Sequence, residues 1–122
     1  GLSYTTFEYS HLRIGTATIS GAGSTSVTCT IKNTGTRTGD EVVQLYVHDV
    51  LASLARPVIQ LQGFQRVTLA PGESRDAAFT VGPEQLKMLD DKLNWTVEPG
   101  EFRLMIGASS KDIRLRGILT VK

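Results

Sequence analysis

The sequence predicts an all-β sandwich of about seven to eight antiparallel strands with one short helical turn, formed as a single domain by residues 1–122. Apolar and polar residues alternate with a period of two along most of the chain, and turn residues interrupt this alternation at short intervals. A helical period is almost absent. With 122 residues, of which 40% are hydrophobic and 20% are charged, the chain has the length and composition of one folded domain with one core.

The first predicted strand covers residues 6–14. Phe7 and Tyr9 alternate with polar residues, and the phase of the alternation then slips before Leu12 and Ile14. Because one extra residue in a strand moves every following side chain to the opposite face, we expect a bulge or bend at this point.

Cys29 lies in the second predicted strand, which covers residues 26–32. Period-two alternation places it on the same face as Val27 and Ile31. As the only cysteine of the chain, it cannot form an intrachain disulfide. We therefore expect a buried thiol that packs as a small hydrophobic side chain, in preference to a reactive thiol.

The third and fourth predicted strands cover residues 41–48 and 58–69. Gly63 interrupts the fourth, and a glycine inside a strand indicates a bulge or a crossover between sheets. The third has the pattern of a central strand with two different faces. Its inward face consists of Val43, Leu45 and Val47, and its outward face consists of Gln44, Tyr46 and His48.

The same turn signal occurs at Pro71-Gly72-Glu73 and at Pro99-Gly100-Glu101. Proline presets φ at position i+1 of a type II turn, and glycine supplies the positive φ that position i+2 requires. Each turn precedes a predicted strand, the first at residues 75–81 and the second at residues 102–106.

A helical turn is predicted within residues 82–89, because Pro83 suits a first helical position and Leu86 and Leu89 are spaced for one helical face. Two more strands are predicted at residues 94–97 and 113–121.

Three basic residues of the last strand, Arg114, Arg116 and Lys122, are expected on one face. A solvated sheet face or a contact with an acidic neighbouring domain is favoured over a site for a polyanion. The net charge of +1 likewise predicts neither a nucleic acid nor a membrane partner. No apolar run approaches the roughly 20 residues that cross a bilayer, and no targeting signal opens the chain.

The sequence predicts no catalytic residue. The Asp40-Glu41 pair begins a strand, where neighbouring side chains point to opposite faces, so it does not resemble the carboxylate pair of a glycosidase. The same conclusion is drawn for the two aspartates of a polar loop at residues 90–91. His48, Asp49 and Ser53 supply the residue types of a triad without its geometry.

The sequence predicts no cofactor and no metal either. His11, His48 and Cys29 share no ligand spacing, and Cys29 is expected to face the core. The glycines at residues 21 and 23 lack the lysine and the strand-to-helix context of a phosphate-binding loop.

Trp95 is the single tryptophan and the candidate for a weak sugar contact. Sugars pack their C–H faces on exposed aromatic rings, and Trp95 could form only a partial platform with Tyr4, Tyr9 and Tyr46. Packing of the indole at a sheet edge is the favoured alternative.

Several segments of the chain together resemble a known domain family. The resemblance covers essentially the whole chain and is to the C-terminal fibronectin type III-like domain of glycoside hydrolase family 3, which includes β-glucosidases and β-xylosidases. It implies an immunoglobulin/fibronectin type III-like β-sandwich. The matching segments, in order, are Gly1-Leu2-Ser3-Tyr4-Thr5-Thr6-Phe7, Gly39-Asp40-Glu41-Val42-Val43-Gln44-Leu45-Tyr46-Val47, Arg56-Pro57-Val58, Leu61-Gln62-Gly63-Phe64, Leu69-Ala70-Pro71-Gly72-Glu73 and Val97-Glu98-Pro99-Gly100-Glu101-Phe102.

The resemblance implies a non-catalytic accessory domain that stabilises and orients the catalytic domains of a retaining β-glycosidase similar to a β-glucosidase. In that family the nucleophilic Asp lies on a (β/α)8 barrel, and the acid/base residue lies in or near the following α/β sandwich. Neither motif is present in this sequence, so the chain itself is not expected to be an enzyme. The barrel and the α/β sandwich are its implied partners.

Residues 1–7 resemble the junction with a preceding α/β domain that is absent from this chain. Leu2, Tyr4 and Phe7 are therefore candidates for contacts between domains, and the alternative for them is a frayed terminus.

Two other functions stay open: a carbohydrate-binding module that aids attachment to polysaccharide, and a free-standing adhesion or interaction module that uses unpaired sheet edges. The compartment of the parent protein is left open by this sequence, and a secreted or periplasmic parent is compatible with the resemblance.

Overall fold

The computed structural model describes residues 5–50, 59–89 and 92–122. The secondary structure of these residues is almost entirely strand, in two main sheets that pack face to face around one core. The predicted all-β sandwich with one helical turn is confirmed.

The three-stranded sheet has the order β1-β3-β6, the five-stranded sheet has the order β2-β10-β9-β4-β5, and β7 pairs with β8 in a small separate sheet. The elements are β1 (Phe7–Ile14), β2 (Thr18–Ile19), β3 (Thr25–Asn33), β4 (Gly39–Asp49), β5 (Ile59–Leu69), β6 (Ser74–Val81), α1 (Pro83–Leu86), β7 (Met88–Leu89), β8 (Trp95–Thr96), β9 (Gly100–Ser109) and β10 (Asp112–Val121).

The described residues form ten strands, more than the sequence predicts, because β2, β7 and β8 are only two residues long. A strand of two residues has no alternation by which it could be recognised. β2 also pairs parallel with β10, whereas every other pair in the structure is antiparallel. The helical turn is shorter than predicted, because Lys87 adopts an extended conformation with ψ 148° and the chain then enters β7.

Both predicted bulges are present. The pairing of β1 with β3 shifts register between Ser10 and Arg13, where His11 has a φ of 54°. The pairing of β4 with β5 shifts at Gly63. A Cβ atom at Gly63 would lie 3.1 Å from the ring of Phe79 on β6, so the glycine allows the edges of the two sheets to approach closely.

Positive φ is found at both predicted turn glycines, although only one of them has the expected value. Gly72 has a φ of 78°, close to position i+2 of a type II turn. Gly100 has a φ of 138° and is already the first residue of β9.

The core lies between the two main sheets and is built by the inward residues that alternation predicts. The three-stranded sheet contributes Val27, Cys29, Ile31, Ala77, Phe79 and Val81, and the five-stranded sheet contributes Val43, Leu45, Val47, Val67, Leu69, Phe102, Leu104, Ile106, Leu119 and Val121.

Asn33, at the end of β3, is a polar side chain with no solvent exposure. Its Nδ2 donates to the carbonyl oxygens of Arg37 at 2.7 Å and Leu69 at 2.9 Å. Its Oδ1 accepts hydrogen bonds from the Thr5 hydroxyl at 2.6 Å and from the Gly35 N–H at 2.9 Å. One side chain therefore connects the segment before β1, the turn after β3 and the end of β5.

The burial of Cys29 predicts an unreactive thiol. Its exposure is 0%, and burial, with a smaller contribution from the Asp76 carboxylate, raises the pKa of the thiol to about 11. We expect the folded chain to resist alkylation by iodoacetamide at about pH 8, because the thiolate is the nucleophile, and to react readily in urea. Mass spectrometry of the two samples measures the difference. Prompt, complete alkylation in the absence of urea would contradict the prediction.

Candidate functional site

A polar surface cleft lies at one end of the sandwich, where β1, β4 and β10 begin. Its volume is about 410 Å³. The lining residues are Thr5, Thr6, Phe7, Asp40, Glu41, Ala108, Asp112 and Arg114. The antiparallel pairing of β9 with β10 places the end of β9 at this same end of the sandwich, which explains why Ala108 contributes.

Arg114 is the central cation of the cleft. Its Nε donates to Asp112 Oδ1 at 2.7 Å, and its Nη2 donates to Asp112 Oδ2 at 2.9 Å. Its Nη1 donates to the carbonyl oxygen of Phe7 at 2.9 Å. The guanidinium also lies 5.2 Å from the centre of the Tyr9 ring, at the distance of a cation–π contact. Arg114 therefore holds the start of β10 against the start of β1.

Tyr9 connects the core to the cleft. The residue is 8% exposed, and its hydroxyl donates to Glu41 Oε2 at 3.0 Å. Burial, followed by the nearby Glu41 carboxylate, raises the pKa of the Tyr9 hydroxyl well above its ordinary value. Tyr9 is therefore a neutral hydrogen-bond donor at every physiological pH.

Two carboxyl groups of the cleft are held in the ionised form. The hydrogen bond from Arg114 lowers the pKa of Asp112. Hydrogen bonds from Arg66 and then Thr68 lower the pKa of Asp40. A glycosidase general acid must instead keep its proton near neutral pH, which requires a raised pKa. Asp40 and Asp112 are thus suited to salt bridges and not to proton donation.

The arrangement can hold polar or charged groups at the surface by hydrogen bonds. Within residues 5–50, 59–89 and 92–122, no group of three or more His, Cys, Asp or Glu side chains is placed to hold a metal ion. Over the same ranges, no helix is both long and apolar enough to span a bilayer.

Of the three predicted contact residues, Phe7 can be placed. It is half-buried, packs against the core and lines the cleft. Leu2 and Tyr4 lie outside the described residues, as do Ser53 and the two aspartates at residues 90–91.

Trp95 lies in β8 with 63% of its surface exposed, so its ring is not packed into the sandwich. The Lys87 ammonium lies 5.0 Å from the ring centre. The partial aromatic platform considered from the sequence does not form with Tyr9 or Tyr46, because these side chains are 8% and 7% exposed.

The prediction that Arg114 shares one face of the last strand with Arg116 and Lys122 is wrong for Arg114. The register of β10 against β9 shifts between Ile113 and Leu115, so Arg114 is the extra residue of a bulge. The bulge directs its side chain to Phe7 and Tyr9. Arg114 and Arg116 therefore do not share a surface.

A second surface, which the sequence analysis did not single out, is the outward face of the five-stranded sheet. Tyr46 and Met105 pair across β4 and β9 at its centre, and both are 7% exposed although neither belongs to the core between the sheets. Four exposed apolar side chains lie on the same face of this sheet: Val42, Leu61, Phe64 and Ile118. We call these six residues the outer apolar face.

The signal for this face is present in the sequence. Val42 precedes the core residue Val43, and Ile118 precedes the core residue Leu119. Adjacent residues of a strand point to opposite faces, so two consecutive apolar residues require one of them to point outward.

Comparison with known proteins agrees with this architecture. The family model of the fibronectin type III-like domain matches residues 41–110. A β-xylosidase of Formosa agariphila is 46% identical over 100% of this chain, which corresponds to 17% of that protein. The β-glucosidase BoGH3A of Bacteroides ovatus is 47% identical over 93% of this chain and 15% of its own length.

A solved structure of a β-glucosidase from Erythrobacter marinus superposes with a TM-score of 0.90 at 39% identity, and the match covers 100% of this chain and 16% of that chain. The chain thus spans only about one-sixth of the length of the proteins it matches. It belongs to the fibronectin type III-like domain family, in the form carried by the β-glucosidases and β-xylosidases of glycoside hydrolase family 3.

Proposed function

We propose that this chain is a non-catalytic accessory domain of a retaining β-glycosidase of family 3, in which it stabilises and orients the catalytic domains. One observation carries the proposal: all of this chain aligns with only 17% of a β-xylosidase. Most of the length of such an enzyme is left to its other domains, which on this proposal are a (β/α)8 barrel and an α/β sandwich and are the partners of this chain.

The chemistry of the cleft supports the same function. Asp40 and Asp112 have lowered pKa values and hold salt bridges, and Tyr9 keeps its proton. Such groups join strands and bind polar surfaces, and a carboxyl group with a lowered pKa is unsuited to act as a general acid near neutral pH.

Three proteins test this proposal: the full-length protein, the same protein without these residues, and the 122-residue chain. We expect the full-length protein to hydrolyse an aryl β-glucoside or β-xyloside and the 122-residue chain to hydrolyse neither. The deletion should lower the thermal midpoint of the remainder. Turnover by the 122-residue chain would overturn the non-catalytic part of the proposal. If the protein without these residues keeps the thermal midpoint and the kinetics of the full-length protein, the proposal that the domain stabilises the catalytic domains is overturned. That result would favour a free-standing interaction module.

A second candidate function, weak carbohydrate binding, is favoured by the exposure of Trp95. Exposed indole rings are stacking surfaces for the C–H faces of sugars, and Trp95 is 63% exposed. Lys87 lies over the ring and can occupy one of its two faces, which leaves the other for a sugar.

Titration with cello- and xylo-oligosaccharides, followed by Trp95 fluorescence, tests this second function. Binding at about millimolar concentration should shift the emission and should be lost in Trp95→Ala. Leu93→Ala is the matched control, because Leu93 is a nearby exposed apolar residue without an aromatic ring. An unchanged emission spectrum at about 10 mM sugar would exclude the carbohydrate function of Trp95.

A further inference from the structure

The outer apolar face has members on four strands of the five-stranded sheet. Leu61 on β5 pairs with Tyr46 on β4, and Tyr46 pairs with Met105 on β9. Ile118 on β10 is the diagonal neighbour of Met105, since its direct partner is Arg103. At a strand spacing of about 4.8 Å, this row is about 14 Å wide.

The exposed members of the row are large side chains. Phe64 is 71% exposed, Ile118 52% and Leu61 50%. Contiguous exposed apolar side chains with a polar rim are typical of surfaces that meet another protein surface. The middle of the row is already buried, because Tyr46 and Met105 are each 7% exposed. The apolar area available to a partner is therefore that of the exposed members, Phe64, Leu61 and Ile118.

Charge gives the face a preference for one kind of partner. Arg103 and Arg116 flank Ile118 and Met105 through the β9–β10 register, and both arginines are exposed. Neither forms an ion pair with any residue that the structure describes. Glu101 is the acidic residue of β9 on the same face of the sheet as these arginines. Arg66 is not a third unpaired cation, because it already pairs with Asp40. The two unpaired guanidinium groups fit a surface that presents carboxylates beside apolar side chains.

We propose that the outer apolar face is the surface by which this domain docks on the remainder of its parent enzyme, and that the docking surface of the remainder is apolar with carboxylates opposite Arg103 and Arg116. The inference rests on the proposed function, because the occupant is the part of the enzyme that this chain lacks. That occupant is favoured over a second copy of the chain because proteins of this kind are about six times its length, and a covalently linked partner is present at high effective concentration.

Hydroxyl-radical footprinting tests the location of the surface without any substitution. The 122-residue chain and the full-length protein are labelled under identical conditions, and labelling is compared residue by residue. We expect Phe64, Leu61 and Ile118 to be labelled at least about fivefold less in the full-length protein. Equal labelling of these residues in the two proteins would overturn the proposal.

Phe64→Glu and Ile118→Glu test the energetic contribution. Both side chains are exposed in the isolated domain, so the urea midpoint of the 122-residue chain should be unchanged. In the full-length protein each variant should release the domain, which we expect to appear as a separate unfolding transition and as cleavage by protease between the domains. Leu93→Glu is the matched control, because Leu93 is 78% exposed and belongs to none of the strands of the five-stranded sheet. An equal effect of Leu93→Glu would contradict the assignment of this face.

Arg103 and Arg116 supply a second prediction of the same proposal. Arg103→Glu and Arg116→Glu should weaken docking of the 122-residue chain added to the remainder by about tenfold, and the loss should shrink at high salt because the contacts are ionic. An effect independent of salt would refute the carboxylate partner.

The failure of this inference can be distinguished from the failure of the proposed function. If deletion of the domain destabilises the enzyme while the footprint and Phe64→Glu have no effect, the accessory function stands and docking uses another surface. Sedimentation that shows a dimer of the 122-residue chain, abolished by Phe64→Glu, would assign the face to self-association and overturn the proposal.

Discussion

Replacing Asn33 with alanine should lower the free energy of unfolding of the 122-residue chain by about 3 kcal/mol. The substitution removes two donors and an acceptor that has two partners, and it leaves the carbonyls of Arg37 and Leu69 without the buried amide that satisfies them. A domain of this size has a total stability of about 5 to 15 kcal/mol, so the loss is a large fraction. Urea unfolding of the two proteins measures it.

The control for Asn33→Ala is Thr5→Val, which removes only the hydrogen bond from the Thr5 hydroxyl to Asn33 Oδ1. Its cost should be about 1 kcal/mol, the ordinary contribution of one hydrogen bond. Asn33→Asp should be at least as harmful as Asn33→Ala, since it places a carboxylate oxygen against two carbonyl oxygens. If the free energy of unfolding of Asn33→Ala lies within about 0.5 kcal/mol of that of the unsubstituted chain, the hydrogen bonds of the Asn33 side chain do not stabilise the fold.

The Gly107→Ala substitution should cost about 3 kcal/mol or prevent correct pairing of β9 with β10. A Cβ atom at this position would lie 2.1 Å from the carbonyl oxygen of Asp112 and 2.8 Å from the Cα of Ile113. Both neighbours are backbone atoms, so relief requires the strand itself to move. The φ of Gly107 is not positive, and the cost is therefore steric contact and not conformational strain.

Gly21→Ala is the matched control for Gly107→Ala, because a Cβ at Gly21 would meet no atom within 4 Å. It should change the free energy of unfolding by less than about 0.5 kcal/mol. Thermal melts of both variants, read by circular dichroism, compare them directly. Equal midpoints for the two variants would disprove the steric explanation.

The fold was predictable because its main determinants are local. Alternation identified the inward residues of β3, β4 and β9, and the phase slip before Leu12 and the glycine at residue 63 marked both bulges. These signals are properties of consecutive residues, and the core confirms them.

Features that depend on tertiary contacts were not predictable in the same way. Tyr46 was correctly expected on the outward face of β4, but its burial there depends on neighbours such as Met105, which is distant in sequence. The role of Asn33 could not be predicted, because nothing in the sequence near it indicates that Thr5 and Leu69 meet its side chain.

The cleft depends on long-range pairing to an even greater degree. Arg114 contacts Phe7 across 107 positions of the chain. Its direction is set by a bulge in β10, and the glycine at this bulge, Gly107, lies on the partner strand β9 and not beside Arg114 in the sequence. By contrast, two of the six residues of the outer apolar face, Val42 and Ile118, could have been inferred from consecutive apolar residues on two strands.

The edges of the two main sheets have a further consequence. β1 and β5 are edge strands, and each contains a register shift; the third edge, β2, is only two residues long. The remaining edge, β6, exposes the charged side chains of Arg75 and Asp76. Irregular, short or charged edges are poor templates for an incoming strand. These edges are therefore poorly suited to β-strand addition and to edge-to-edge aggregation.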